Sequence, residues 1–170
     1  MQKLYTQLIG MPVFDECTNM PYGLVRDVII DPENGRVVAL LLPGRRVVAA
    51  REIERISTAV FIRDKESIVS VEEVLRVHEI YKRHIKILWA RVLTQKEKLY
   101  LGRVVDYEID TTTMSLSKLD VAKVFFFFRF QERLIPARNI VKVERSRIIV
   151  KEILESAVKE KAPAPSSAFA

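Results

Sequence analysis

The sequence is poor in the residues that most enzyme and metal chemistry requires. It holds one cysteine, Cys17, and two histidines, His78 and His84, in 170 residues. A single cysteine excludes an internal disulfide and a cysteine-rich zinc site, and it suits a reducing compartment. The histidines stand six positions apart, so they do not share a helix face as an i, i+4 metal pair would. His78 reads as a helix-surface or packing residue and His84 as an exposed connector. Cys17 lies in a polar connection with no histidine near it in sequence. Neither catalytic residues, metal ligands nor a cofactor is therefore expected. The glycines form no phosphate cradle, because Gly23 and Gly35 bracket a strand and no helix follows to receive a pyrophosphate. Nowhere do about 18 uncharged apolar residues run together, as a membrane-spanning helix needs. The opening ten residues hold too short an apolar run for a signal peptide, so a cytoplasmic protein is expected.

What the chain does have is apolar content of 49%, which argues against disorder, and a formal charge of +6. The charge is unevenly placed. Residues 1–85 carry 12 Lys/Arg against 12 Asp/Glu, and residues 86–152 carry 14 against 8. Such a bias attracts RNA, anionic lipid or an acidic protein surface, and it also serves ordinary solubility.

The most legible stretch runs from Tyr22 to Leu42. Val25, Val28 and Ile30 supply one strand, and Val37 to Leu42 a second. Asp31-Pro32-Glu33-Asn34-Gly35 has the chemistry of a tight turn between them. Its approach is repeated: Gly23-x-Val25-x-Asp27 returns as Gly102-x-Val104-x-Asp106, 79 positions later. Gly23, Asp27, Gly102 and Asp106 are accordingly structural repeat positions. The two aspartates either form a paired carboxylate site or accept hydrogen bonds from a turn or from an arginine such as Arg51 or Arg138. Asp31 and Asp110 repeat as turn openers.

Around the hairpin, residues 1–14 read as a first strand, bent at Pro12. Val47 to Ile56 and Ala59 to Ile62 add further short strands. Ser70-Val-Glu-Glu73 matches a capping box that opens a helix to about Arg83, with Val74, Val77 and Tyr81 on its apolar stripe. Beyond Lys86 the strands recur. Arg138 answers Arg51, Ile140 answers Ile53, and Ile148 to Val150 closes the set. Residues 152–161 carry an apolar stripe that suits a short helix, and 162–170 read as a flexible tail.

Leu8 to Val13, Gly23-x-Val25-x-Asp27, Asp31-x-x-x-Gly35-Arg36-Val37 and Val48 to Ile56 together resemble the PRC-barrel pattern. That family includes the cytoplasmic part of the photosynthetic reaction-centre H subunit and the C-terminal domain of the RimM ribosome-maturation protein. Gly102 to Asp106 and Ile135 to Ile140 resemble the same pattern a second time. The resemblance implies a mostly β protein of two tandem small PRC-like β-barrels with a connecting helix and a short C-terminal helix. The expected division is 1–85 for the first barrel and helix, 86–152 for the second barrel, and 153–170 for the terminal helix and tail. Units of this size bury little surface alone, so the halves should lean on each other or on a partner.

The most telling surface feature is Phe125-Phe126-Phe127-Phe128. Alternate strand residues point to opposite faces, so two of the four must cover something outside their own barrel. Tyr100 and Phe125 to Phe128 are the expected protein-interaction residues of a non-enzymatic interaction or adaptor module. Its protein partner is unidentified; ribosomal assemblies, a peripheral membrane complex and a homodimer all suit it. The alternative is an RNA- or ribosome-associated protein binding through the basic second unit. Arg129, Arg133, Lys142, Arg145, Arg147 and Lys151 are its candidate nucleic-acid contacts.

Overall fold

The computed structural model describes residues 1–125 and 128–152. In chain order the elements of the first half are β1 (Gln2–Leu4), α1 (Tyr5–Leu8), β2 (Pro12–Asp15), β3 (Pro21–Leu24), β4 (Asp27–Ile30), β5 (Val37–Leu42), β6 (Arg46–Ala49), β7 (Ile53–Ile56), β8 (Val60–Ile62), β9 (Ile68–Ser70) and α2 (Leu75–Lys82). Those of the second half are β10 (Arg91–Thr94), β11 (Tyr100–Asp110), β12 (Ser115–Phe125), β13 (Phe128–Pro136), β14 (Ile140–Val143) and β15 (Arg147–Val150). The expected helix at 152–161, the tail, Phe126 and Phe127 lie outside the described residues.

The hairpin turn is built as its residues dictate. Asp31, only 4% exposed, accepts the Glu33 amide at 2.9 Å through its side chain, and Asn34 accepts the Arg36 amide at 2.9 Å. The capping box also forms: Glu73 takes the Ser70 amide at 2.8 Å, ahead of a 3-10 turn over Val71–Glu73 that leads into α2. Residues 1–14, by contrast, are not one strand. Leu4 donates its amide to the Gln7 side chain at 3.0 Å, and α1 separates β1 from β2.

The strand order of the first half returns in the second. In the first, β2 pairs antiparallel with β3 and parallel with β8, and β8 pairs with β7. In the second, β10 pairs antiparallel with β11 and parallel with β15, and β15 pairs with β14. The agreement reaches single hydrogen bonds. Gly10 N–H reaches Val25 O at 2.8 Å and Trp89 N–H reaches Val104 O at 2.8 Å, each pair displaced by 79 positions. Gly23 and Gly102 share φ values of 140° and 138°, a conformation closed to most side chains.

The expectation of two β-barrels is overturned. Among the described residues no sheet closes on itself: there is one seven-stranded sheet and two four-stranded sheets, all open. In the first half the chain turns out of β3 at Val25-Arg26, and out of β6 through a 3-10 turn at Ala50–Glu52. Consecutive strands therefore fall into two sheets, β3-β2-β8-β7 and β4-β5-β6-β9. In the second half β11 runs unbroken where the first half has β3 and β4, so the strands form one open sheet ordered β13-β12-β11-β10-β15-β14. What stands is a mostly β fold with a connecting helix.

The halves do lean on each other. A single buried apolar cluster takes in Val13, Val25, Leu40 and Ile62 from the first half and Val104, Leu119, Ile135 and Ile148 from the second. β1 crosses over to pair with β11, placing Lys3 opposite Ile109. A smaller cluster, with Ile29, Ala39, Val47, Val77 and Ile80, seats α2 on the outer face of β4-β5-β6. Burying each of these valine, leucine and isoleucine side chains is worth about 1.5–3 kcal/mol against leaving it in water.

Candidate functional site

The second half departs from the first most strongly in the hairpin of β12 and β13. Leu41 pairs with Val47 in the first half, and Asp120 with Leu134 in the second. The displacement is thus 79 positions on entering the hairpin and 87 on leaving it, an insertion of eight residues. At about 3.4 Å per residue, four extra residues per strand lengthen the arm by roughly 13 Å. The inserted stretch is the one that carries the phenylalanine run. Phe128 is 67% and Phe130 51% exposed, with ring centroids 6.2 Å apart, and Leu134 is 48% exposed. Two neighbouring exposed rings on one strand are an unusual load for a monomer surface.

The helix α2 explains part of this contrast. Val47, which it buries completely, corresponds to Leu134, which no described helix covers. The outer face below the arm is polar instead. Lys118 reaches Glu108 at 2.9 Å, and Asp120 stands directly opposite Asp106. Burial, with the nearby Glu132 and Asp106 charges, holds the Asp120 carboxyl above its ordinary value despite Arg129.

The other expected interaction residue, Tyr100, opens β11 and is half-buried, with the Arg91 guanidinium 5.3 Å from its ring centroid. Of the phenylalanine run, Phe128 is exposed; Phe126 and Phe127 lie outside the described residues. Leu134 and the arm's extra length were not anticipated. The change of repeat spacing from 79 to 87 was the signal that could have shown them.

The basic series does not gather. Arg129 is exposed on the arm and Arg133 is half-buried there, its Nε without a hydrogen-bond partner. Lys142, Arg145 and Arg147 belong to β14, β15 and the turn between them, at the opposite end of the strand order. Lys142 and Arg147 both pair with Glu144, at 3.1 and 2.9 Å, which offsets much of their charge. Lys151 is exposed, and its amide donates to Asn139 O at 2.8 Å.

The repeated aspartates hold the chain together. Each accepts the amide that follows it, Val28 for Asp27 and Tyr107 for Asp106, both at 2.8 Å. Each also grips α1: Tyr5 Oη donates to Asp27 at 3.1 Å and Thr6 Oγ1 to Asp106 at 2.6 Å. Neither arginine weighed as their partner takes that role; Arg51 pairs with Glu52. Burial and the Asp27 carboxylate push the Tyr5 phenol well above its ordinary range. Asp31 instead receives Arg76 through both nitrogens, at 2.8 to 3.1 Å, tying α2 to the hairpin turn.

Next to Tyr5 and Asp27 lies a cavity of about 470 Å³ between the halves. Its first-half wall is β4 and the 31–35 turn; its second-half wall is Ile85 to Trp89 with β14. Trp89, the only tryptophan, is half exposed at this wall with φ of 65°, a strained value for a bulky residue. No motif announced this cavity. His84 is exposed, with its ring 6.3 Å from Tyr81, and Cys17 is exposed. Among the described residues no cluster of His, Cys, Asp and Glu could hold a metal ion, and no helix is long and apolar enough to cross a membrane.

Residues 1–84 match the PRC-barrel domain family, and the match does not extend into the second half. No curated protein matches the chain.

Proposed function

We propose that this protein, with its PRC-barrel domain over residues 1–84, is a non-enzymatic interaction or adaptor module of the cytoplasm. PRC-barrel domains are generally associated with protein–protein interaction rather than catalysis. The second half is a diverged copy of the first, altered where it makes contact. The observation that carries this reading is the eight-residue extension of the β12–β13 arm, with Phe128 and Phe130 exposed side by side. Burying two such rings against a partner is worth about 3–6 kcal/mol before association costs of about 4–15 kcal/mol, so the rings act as an anchor only together with further contacts. Tyr100, half-buried on the strand that pairs with β12, is assigned to the same contact surface.

One observation favours a second reading. Arg129 is exposed on β13 between Phe128 and Phe130 in sequence, with its side chain on the other face of the strand, so the arm carries both a cation and aromatic rings of the kind that hold a single nucleic-acid strand. In that reading the arm, with Arg133, binds RNA or a ribosomal assembly.

Affinity capture from native extract, at low and high salt and with and without ribonuclease, separates the two. Protein partners that survive both treatments but are lost with Phe128→Ser/Phe130→Ser support the adaptor reading. Partners lost on nuclease treatment, or with Arg129→Ala/Arg133→Ala alone, support the RNA reading. Capture unchanged by either double variant would remove the arm from both.

A further inference from the structure

The repeat is broken at one strand edge in a way that marks a binding site. On the second half, β1 lies along β11: Lys3 faces Ile109, and Thr111 N–H donates to Met1 O at 2.7 Å. The corresponding edge on the first half belongs to β4, where Ile30 takes the place of Ile109, 79 positions earlier. Among the described residues that edge has no strand beside it, since β4 pairs only with β5.

The reason is legible residue by residue. The positions that correspond to Gln2, Lys3 and Leu4 are Tyr81, Lys82 and Arg83. These form the end of α2 and its cap, held on the outer face of the sheet, and cannot serve as a strand. The cavity of about 470 Å³ is lined on this side by Asp27, Val28 and Ile30 of β4.

Backbone direction and charge then describe the occupant. Alternate residues of a strand turn their peptide groups to opposite sides, and the bonding of Ile109 toward β1 shows which side Ile30 presents. The Val28 amide, also on this side, is held by Asp27. Pro32 has no amide to offer, so only a short strand is accommodated. Across the cavity, Lys86 and Arg138 are exposed and have no ion-pair partner among the described residues. The acidic groups on the near wall have contacts within their own half: Asp31 and Glu33 share Arg76, Glu33 also meets Arg83, and Asp27 accepts from Tyr5 Oη. The rest of the lining includes Val28, Ile87, Leu88 and Ile140.

We propose that the unpaired edge of β4 accepts a short extended peptide of alternating apolar and acidic residues from a partner protein, adding to β4 as β1 adds to β11. Main-chain bonds to Ile30 supply the pairing, the apolar lining receives the apolar side chains, and Lys86 and Arg138 select the acidic ones. This surface is separate from the β12–β13 arm and does not rest on it.

Trp89 lines the cavity as the only tryptophan, so its fluorescence reports binding directly. The probe is the capped peptide Val-Glu-Val-Glu-Val, compared with Val-Lys-Val-Lys-Val and with a version carrying proline at the central position. The full chain should show a saturable fluorescence change with the acidic peptide, and none with the other two. Amide resonances of Ile29 to Asp31 should shift with it. Lys86→Glu and Arg138→Glu, both at exposed positions, should each weaken binding about tenfold with the circular dichroism unchanged, while Phe128→Ser/Phe130→Ser should leave it intact. Equal binding of the lysine peptide, insensitivity to both charge reversals, loss of binding in the arm variant, or no response to the acidic peptide would each overturn the proposal.

Discussion

Arg36 and Ser115 face each other across an isolated antiparallel bridge, and they are the same position of the two repeats. On either side of them the bonds are reciprocal: Val37 N–H to Met114 O at 2.8 Å, and Leu116 N–H to Gly35 O at 2.9 Å. Val37 corresponds to Leu116 and Gly35 to Met114, so the contact has the form of a two-fold interface inside one chain. The two halves are thereby fixed as a unit, and departures from symmetry elsewhere stand out against it.

The repeated glycines should not be equally replaceable. A Cβ at Gly102 would lie 2.4 Å from Ala122 O, whereas at Gly23 its nearest neighbour is Pro43 Cδ at 3.7 Å. Both substitutions carry backbone strain of about 1–3 kcal/mol. Gly102→Ala must also push β11 and β12 apart. Denaturant titration should show Gly23→Ala mildly destabilised and Gly102→Ala destabilised by clearly more; equal effects would contradict the assigned register.

The grip of Asp106 on α1 should show in side-chain replacements. Asp106→Ala leaves the buried Tyr107 amide without its acceptor and releases Thr6, which should cost roughly 1–3 kcal/mol. Thr6→Ser keeps the hydroxyl and should be nearly neutral. A loss in both, or in neither, by chemical denaturation would count against the clasp.

Asp120 gives a pH signature. Its carboxyl is held above its ordinary value chiefly by burial, so the charged form is disfavoured in the fold. Its contribution is most favourable when protonated, below the unfolded value, and stability declines as pH rises through that value to the folded one. Asp110 runs the other way: the Thr113 and Thr112 amides hold it low, and its stabilising contribution is lost as pH falls. Asp120→Asn should therefore be more stable than the parent at neutral pH, with the advantage vanishing under acid conditions. An advantage that persists in acid would contradict this assignment.

Trp89 occupies the position that Gly10 holds in the first half, where φ is 80°. Trp89→Gly removes a strained residue of about 1–3 kcal/mol and gives up a side chain that is half exposed. Thermal unfolding should show stability retained or raised, while binding of the acidic peptide, followed through the Ile29 to Asp31 amides, weakens.

The sequence was most readable where structure is local. Asp31 to Gly35 made the turn its residues demand, and Ser70 with Glu73 made the capping box. The shared φ of Gly23 and Gly102 was implicit in their spacing. Barrel closure was not readable, because whether one strand meets another far along the chain depends on breaks such as Val25-Arg26 and the turn at Ala50–Glu52. Nor was the cavity. It exists because residues 2–4 pair with β11 while their counterparts, Tyr81 to Arg83, were drawn out to the helix, a difference of partners that no pattern within either segment records. The arm fell between these cases, its phenylalanines visible and its extra length hidden in a change of spacing.

The most direct test of the interaction reading is photocrosslinking from the arm itself. A benzoylphenylalanine placed at Phe130 would be compared in native extract with one at Leu75, which is 73% exposed on α2. The account predicts a discrete protein adduct from position 130, resistant to ribonuclease, and none from position 75. A nucleic-acid adduct from position 130, or the same adducts from both positions, would contradict it.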